Sequence, residues 1–507
     1  MPDSHSQDPV DHVGVHARLQ PDWLAAVDLT SGRRLTYAEL DREAQACAGL
    51  LVGEWGCGPG DRVACLSKNR LEMIVLHLAC ARAGLIFAPL NWRLSRTELV
   101  DILADAEPRL VVGDDQLAEH GIEGAAFDDW WPDLAAREPR GLPRPDPDAA
   151  SLILYTSGTS GRPKGVMLSA RNLDETAQNF SLLGRVTPQS VFLVDSPMFH
   201  VIGLIASVRP AFLQGAAILV SDGFQPARTL SRLADPALGV THYFCVPQMA
   251  SRLRREPGFD PDALRRLTAV FTGGAPHPAD EIRAWLTDRI PVVDGYGMSE
   301  AGTVFGMPPD VTQIARKAGS VGVPTPGVRV RIVGEDDQPV APGEAGELQL
   351  QGRNLFQGYW RRPAETAAAF TADGWFRTGD IAVRDEDGFY RLVDRKKDMF
   401  ISGGENVYPA EVEAILAGHP DLVEVAVIGH PDPSWGEIGV CFYVAVSGRS
   451  PEGEALRAHV AAALARYKVP KHFLALPNLP RNGAGKVLKP ALRELAVQAG
   501  LSGPPRS

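Results

Sequence analysis

Between Arg62 and Leu90 the chain passes through three apolar segments of different texture: RVACLS, then LEMIVLHLACARAG, then LIFAPL. The first and third have the length of strands, and the middle one runs without proline for the length of a helix. ELVDILADAEPRLVV then repeats the helix-to-strand pattern. Strands that alternate with helices bury their faces in layers, so this texture restricts the chain to an α/β architecture. Just upstream, LTYAELDREAQACAGLLV opens a further amphipathic helix, with Thr36 and Glu39 at capping-box spacing.

The texture changes at Val328. VRVRIV, GELQLQG and GFYRLVD are short alternating strands between turns, and they read as a small β subdomain. A helix follows with Pro409 near its start, Val412, Ile415 and Leu416 on one face and Gly418 at its end, opening a small C-terminal α+β domain from about residue 398. The proline- and charge-rich stretch from about 130 to 149 reads as a connecting loop, and residues 1–20 as a loose tail.

The length, 507 residues, suits about three domains of ~150 residues each. A net charge of −11 argues against a nucleic-acid or anionic-membrane surface, so an anionic ligand has to be met by local basic groups. The six cysteines, Cys47, Cys57, Cys65, Cys80, Cys245 and Cys441, form no CxxC pair and no cluster with histidine, which leaves no zinc pattern or disulfide framework. The N-terminus has no basic-then-apolar signal pattern. The most apolar window, Met73 to Leu90, is interrupted by His77, Arg82 and Gly84, against about 20 apolar residues for a membrane span. The expected setting is the cytoplasm.

Residues 155–169 read YTSGTSGRPKGVMLS, directly after the apolar run Leu152, Ile153, Leu154. This is the pattern of a phosphate-cradling loop that leaves a buried strand. Gly158 and Gly161 bring backbone N–H groups close to an anion, Thr156, Ser157, Thr159 and Ser160 add hydroxyl donors, and Lys164 adds a compact positive charge. The nucleoside-triphosphatase loop GxxxxGK[ST] is the obvious rival. It fails on spacing, because Lys164 follows Pro163 and precedes Gly165.

The string closely resembles the phosphate loop of the adenylate-forming superfamily, which includes acyl-CoA synthetases, firefly-type luciferases and the adenylation domains of peptide synthetases. Further motifs follow in that family's order over nearly the whole chain. DSPMFHVIGL places His200 where family members carry an aromatic or histidine wall beside the acyl carbonyl. FTGGAP, with Gly274 and Ala275, and DGYGMSE, with Gly295, Tyr296, Gly297, Ser299 and Glu300, resemble the segments that sandwich adenine and bind Mg²⁺. Tyr296 offers a flat face to a purine, and Glu300 a hard oxygen ligand for a cation that takes few protein carboxylates plus phosphate oxygens. Many relatives have threonine where this chain has Ser299, so the hydroxyl is kept. Asp380 in GWFRTGD resembles the acid that grips the ribose hydroxyls, Arg395 the second nucleotide contact, Lys397 the domain hinge and Lys486 in PRNGAGKVLK the catalytic lysine.

The resemblance implies residues 1–394 as a large multi-subdomain α/β adenylation domain, 395–397 as a hinge, and 398–507 as a mobile domain. It implies ATP and CoA as co-substrates, Mg²⁺ as cofactor, and activation of a carboxylic acid to acyl-AMP followed by transfer to CoA. Gly403 and Gly404 in SGGENVYP would line the thiol tunnel, a segment closer to the acyl-CoA synthetase branch than to the peptide-synthetase branch. Arg466, Lys468 and Lys471 are candidates for CoA phosphates or plain solvated charges. Dicarboxylate-specific relatives carry arginine where this chain has Gly295, and His200, Val201, Ile202, Gly203, Leu204, Phe244 and Cys245 point to an apolar pocket for a medium- or long-chain fatty or an aromatic acid. Asp195, five residues before His200, faces either a polar substituent or the strand end. A carrier-protein phosphopantetheine or an amine stands as the alternative acceptor, and a non-catalytic nucleotide-binding protein as the reading from another class.

Overall fold

The computed structural model describes residues 11–134, 145–156, 163–402, 405–432, 435–481 and 486–501. The chain divides into two compact units, Met1–Val330 with Leu350–Phe376, and Arg331–Gln349 with Arg377–Ser507.

The first unit holds two seven-stranded sheets. In one, the strands run in the order Val292–Asp294, Ala269–Thr272, His242–Cys245, Val191–Val194, Ala217–Val220, Leu24–Asp28 and Arg34–Thr36, all parallel except the last. Chain order reverses between Val191–Val194 and His242–Cys245, since the intervening strand Ala217–Val220 lies on the far side of Val191–Val194. Open α/β sheets take ligands at such a switch point, outside the carboxyl ends of the strands.

The other sheet takes strands from RVACLS and LIFAPL. Arg62–Leu66 and Ile86–Leu90 are parallel neighbours joined through the helix Leu71–Ala83. That helix is buried at nearly every position, as its apolar character on all faces demands. Leu110–Gly113 pairs parallel on the other side of Arg62–Leu66. The helix Tyr37–Gly53 carries the expected Thr36–Glu39 capping box, and Arg96–Ala106 a second one from Ser95 and Glu98.

The stretch read as a loose tail is more ordered. Within the expected tail, His12–Leu19 is a helix capped by Asp11, whose carboxylate also pairs with Arg82 at 2.9 Å. Val13 is buried, and the His16 ring lies 5.2 Å from that of Tyr37. These anchors sit far along the chain, so local sequence carries no sign of them. In the expected connecting loop, Trp130 and Trp131 are buried and pack on each other and on Phe127, while residues 135–144 lie outside the described residues.

The expected short strands form a four-stranded sheet in the order Val328–Val333, Ala345–Gly352, Phe376–Arg384, Tyr390–Arg395. A five-stranded sheet follows, built on the long pair Leu422–Asp432 and Gly436–Ala445. Alternate residues point to opposite faces, as the two-residue strand period requires. Val427 and Cys441 pack with Val412, Leu416, Leu456 and Val460, whereas Ala426, Ile428, Val440 and Phe442 pack with Leu492 and Ala496. The helix Pro409–Ala417 ends at Gly418, as its sequence predicts.

Candidate active site

The strands Ala150–Thr156 and Lys164–Ser169 form an antiparallel hairpin in which Thr156 faces Lys164. Ser157, Gly158, Thr159, Ser160 and Gly161 lie outside the described residues. On its other side, Lys164–Ser169 takes a two-residue strand, Gly358–Tyr359, with Tyr359 opposite Val166. This places the Lys164 ammonium over the Tyr359 ring, 5.2 Å from its centroid, and in an ion pair with Glu365. The Tyr359 hydroxyl donates to Glu300 Oε1 at 2.9 Å, and the Phe356 N–H donates to the Glu300 carbonyl at 2.7 Å. Burial and the Glu300 charge raise the Tyr359 pKa far above 10, so the phenol remains a donor at any working pH.

One tyrosine therefore gathers the lysine of the phosphate-type loop and the proposed metal ligand, which are far apart in sequence. Sequence reasoning missed it. Its only signal is an aromatic pair after glycine, Gly358-Tyr359-Trp360, in a stretch without periodicity.

The purine-type segments follow two neighbouring parallel strands whose last residues, Thr272 and Asp294, stand in register. The Thr272 hydroxyl donates to Asp294 Oδ1 at 2.9 Å and lies 2.9 Å from His277 Nδ1, and the Gly295 N–H donates to the Thr272 carbonyl at 2.9 Å. Burial pushes the Asp294 carboxyl up to about 8, against the pull of the Thr272 hydroxyl and of the His277 and Gly295 N–H groups. The strand ends are thus tied together beneath the glycines. Gly274 takes a φ of +83°, open to glycine, and Ala275 after it is half-buried. Tyr296–Met298 pairs antiparallel with Gly302–Gly306, and a side chain on Gly297 would overlap the Gly302 carbonyl. Tyr296 is half-buried, its ring 5.9 Å from that of Phe305, and Ser299 and Glu300 occupy the turn between the strands.

His200 caps a π-helical segment, Val201–Val208, a geometry concentrated at functional sites. Its half-buried ring packs on Phe199, with centroids 4.5 Å apart. Of the expected pocket residues, Val201, Ile202 and Phe244 are half-buried, whereas Gly203, Leu204 and Cys245 belong to the core. A side chain built on Gly274 would come within 4 Å of Ile202 and Val246, so the segments after both switch-point strands and the FTGGAP loop converge. Asp195 takes the strand-end role: it is buried and accepts from the Thr229 hydroxyl at 2.6 Å and the Tyr243 hydroxyl at 3.0 Å, and burial pushes it up to about 6.

In the second unit, Asp380 and Arg395 face each other across neighbouring strands, with Arg395 Nε 3.3 Å from Asp380 Oδ1. The acid side chain is 8% exposed and the arginine 51%, which leaves the guanidinium facing solvent. Lys397 is exposed; desolvation lowers its pKa, opposed by Asp398. Lys486 is exposed, and Gly403 and Gly404 lie outside the described residues. Lys468 is held by Glu411 at 2.7 Å and Lys471 stands 4.7 Å from the Trp435 ring centre, while Arg466 is exposed. Glu300 offers one carboxylate, oriented by the Tyr359 phenol, which suits Mg²⁺ shared with phosphate oxygens.

A family model for AMP-binding enzymes matches residues 14–360, and one for the C-terminal domain of AMP-binding enzymes matches residues 411–486. The chain is 39% identical over 490 residues to a feruloyl-CoA synthase from Amycolatopsis sp, covering 94% of this chain and 96% of that one. It is 34% identical over 494 residues to the long-chain-fatty-acid–CoA ligase FadD13 of Mycobacterium tuberculosis, with 94% and 96% covered. The o-succinylbenzoate-CoA synthetase of Bacillus subtilis, solved with ATP and magnesium, superimposes with a TM-score of 0.84 at 29% identity, covering 96% of this chain and 98% of that one. The same synthetase has also been solved with its acyl-adenylate intermediate.

Proposed function

The chain belongs to the AMP-binding, adenylate-forming enzymes, and from that premise we propose that it is an AMP-forming acid–CoA ligase acting on an aromatic or fatty acid. The observation that carries this reading is the meeting of Lys164 and Glu300 on Tyr359, beside the tied purine-type strands of the same unit. Arrangements of this kind hold a nucleoside triphosphate by its phosphates and its base. The similarity to a feruloyl-CoA synthase and to a long-chain ligase supports an apolar acid, as do the half-buried Val201, Ile202 and Phe244.

In the first step a substrate carboxylate oxygen attacks the α-phosphorus of ATP, a bond forms there, and the α–β bridging oxygen leaves with pyrophosphate. The protein positions the reactants and neutralises charge. Thr156, Ser157, Gly158, Thr159, Ser160, Gly161 and Lys164 cradle the β- and γ-phosphates. Gly274, Ala275, Gly295, Tyr296, Gly297 and Ser299 enclose the purine, and Asp380 and Arg395 take the ribose. Glu300 is the residue that would hold Mg²⁺, which when bound screens the phosphate charge. Lys486 bridges carboxylate and α-phosphate oxygens, binding the transition state more strongly than the ground state. In the second step the CoA thiol attacks the acyl carbonyl beside His200, and AMP leaves. The C-terminal domain turns about Lys397 between the steps, withdrawing Lys486 and presenting Gly403 and Gly404.

Six free, buried cysteines suit a cytoplasmic setting, and no helix among the described residues is long and apolar enough to cross a membrane. A pyrophosphate-release screen across short, medium, long and aromatic acids, with CoA as acceptor, tests the reading. Acid-dependent pyrophosphate and a CoA thioester are expected. Adenylation followed by transfer only to a carrier protein or an amine would overturn the acceptor, and an absence of acid-dependent pyrophosphate would overturn the reaction.

A further inference from the structure

Asp394 is the last residue before the segment 395–397 assigned to the hinge, at the end of the strand Tyr390–Arg395. Its carboxylate reaches across that segment. The Ala410 N–H, in the first turn of the helix Pro409–Ala417, donates to Oδ2 at 2.8 Å. Tyr408, at the cap position of that helix, makes no side-chain capping bond, so Asp394 supplies the acceptor that the helix N-terminus lacks and a charge of the sign its dipole favours. Burial pushes the Asp394 carboxyl up to about 6, and the first opposing influence is Lys489.

Lys489 stands at the start of the helix Lys489–Gln498, the wrong end for a cation. Its side chain is 16% exposed, and Nζ lies 3.2 Å from Glu413 Oε1, which also accepts the Val427 N–H at 2.7 Å. Burial works against its charge, yet Glu413, Asp394 and Asp398 together raise its pKa. One turn later, Arg493 lies 3.6 Å from Asp398. The pairs Glu413–Lys489 and Asp398–Arg493 join residues that all follow the hinge, so a turn about 395–397 preserves them. The Asp394–Ala410 hydrogen bond and the attraction between Asp394 and Lys489 join residues on opposite sides of it. Since Ala410 and Glu413 share a helix and Glu413 holds Lys489, the hydrogen bond and the attraction to Lys489 are lost together.

We propose that Asp394 is a positioning residue that latches the C-terminal region, through Ala410 and Lys489, in one of the two catalytic poses and releases it for the other. This rests on the acid–CoA ligase reading and on a hinge at 395–397. Lys489, three residues after Lys486, is then the strut by which the latch sets where Lys486 stands.

The test measures the two half-reactions separately in the full chain: acid-dependent pyrophosphate release, and acyl-CoA formation from supplied acyl-adenylate. D394A removes the hydrogen bond and the attraction to Lys489, and K489M removes the charge while keeping the stem, should D394A fold poorly. Each is expected to slow the half-reaction that uses the latched pose by roughly tenfold or more, the scale of one lost charge-assisted hydrogen bond, while the other half-reaction holds or quickens. The double variant is expected to be no worse than D394A, because the two interactions are lost as one, and K489R is expected to restore the ratio. Equal losses in both half-reactions, no change in either, or opposite changes in D394A and K489M would each overturn the latch. A wild-type chain that makes no acyl-CoA from any acid overturns the ligase reading instead, and is seen before any substitution is made.

Discussion

Tyr359→Phe removes a single oxygen from the residue on which Lys164 and Glu300 meet. The ring keeps its edge-on packing against Phe356, 4.9 Å between centroids at 63°, and still lies beneath the Lys164 ammonium. What is lost is the 2.9 Å hydrogen bond to Glu300 Oε1. A bond from a neutral donor to a charged acceptor contributes about 1.5–3 kcal/mol, and because Glu300 is only half-buried, water replaces part of it and places the cost near the lower figure. That corresponds to about tenfold, in line with the loss that follows removal of a partner orienting a metal-binding carboxylate. We expect kcat/KM for ATP to fall about tenfold at limiting Mg²⁺, with a smaller deficit at saturating Mg²⁺ and a loss of folding stability of up to about 1.5 kcal/mol. Pyrophosphate release over a grid of ATP and Mg²⁺ concentrations, beside a denaturation curve, measures all three. A variant as stable as wild type with unchanged kcat/KM at limiting Mg²⁺ would refute the reasoning.

Lys486→Ala should reduce adenylation by roughly a hundredfold or more while sparing thioester formation from supplied acyl-adenylate; survival of both half-reactions at wild-type rate contradicts its role. Asp294→Asn should remove a pH dependence of stability. The folded carboxyl keeps its proton to about 8 whereas the unfolded one releases it near 3.8, so across that window the folded state binds more protons and stability falls as pH rises. The melting temperature of wild type minus that of Asp294→Asn should therefore decline steadily from pH 5 to pH 8, and a constant difference counts against it. Gly297→Ala forces a methyl group into the Gly302 carbonyl and should cost about 1–3 kcal/mol together with ATP affinity, measured by chemical denaturation and KM; normal values of both would show that the hairpin yields.

Features that arise from neighbours in the chain were legible before folding was considered. The Thr36–Glu39 box, the all-apolar helix Leu71–Ala83 between parallel strands and the stop at Gly418 are set by interactions within a few residues, so periodicity and capping chemistry reveal them. The order of motifs likewise identified the family, because each is a short string with its own backbone demands. Contacts made by chain reversal and sheet register left no local trace. Tyr359 reaches Glu300 because a two-residue strand adds to the edge of the phosphate-loop hairpin, Asp195 turns inward because Thr229 and Tyr243 arrive from other elements, and the first helix holds because Arg82 and Tyr37 meet it. A linear string encodes which groups are present and how each segment coils. Which distant groups share a hydrogen bond depends on how the sheets stack their strands, and that order emerges only when the core closes around them.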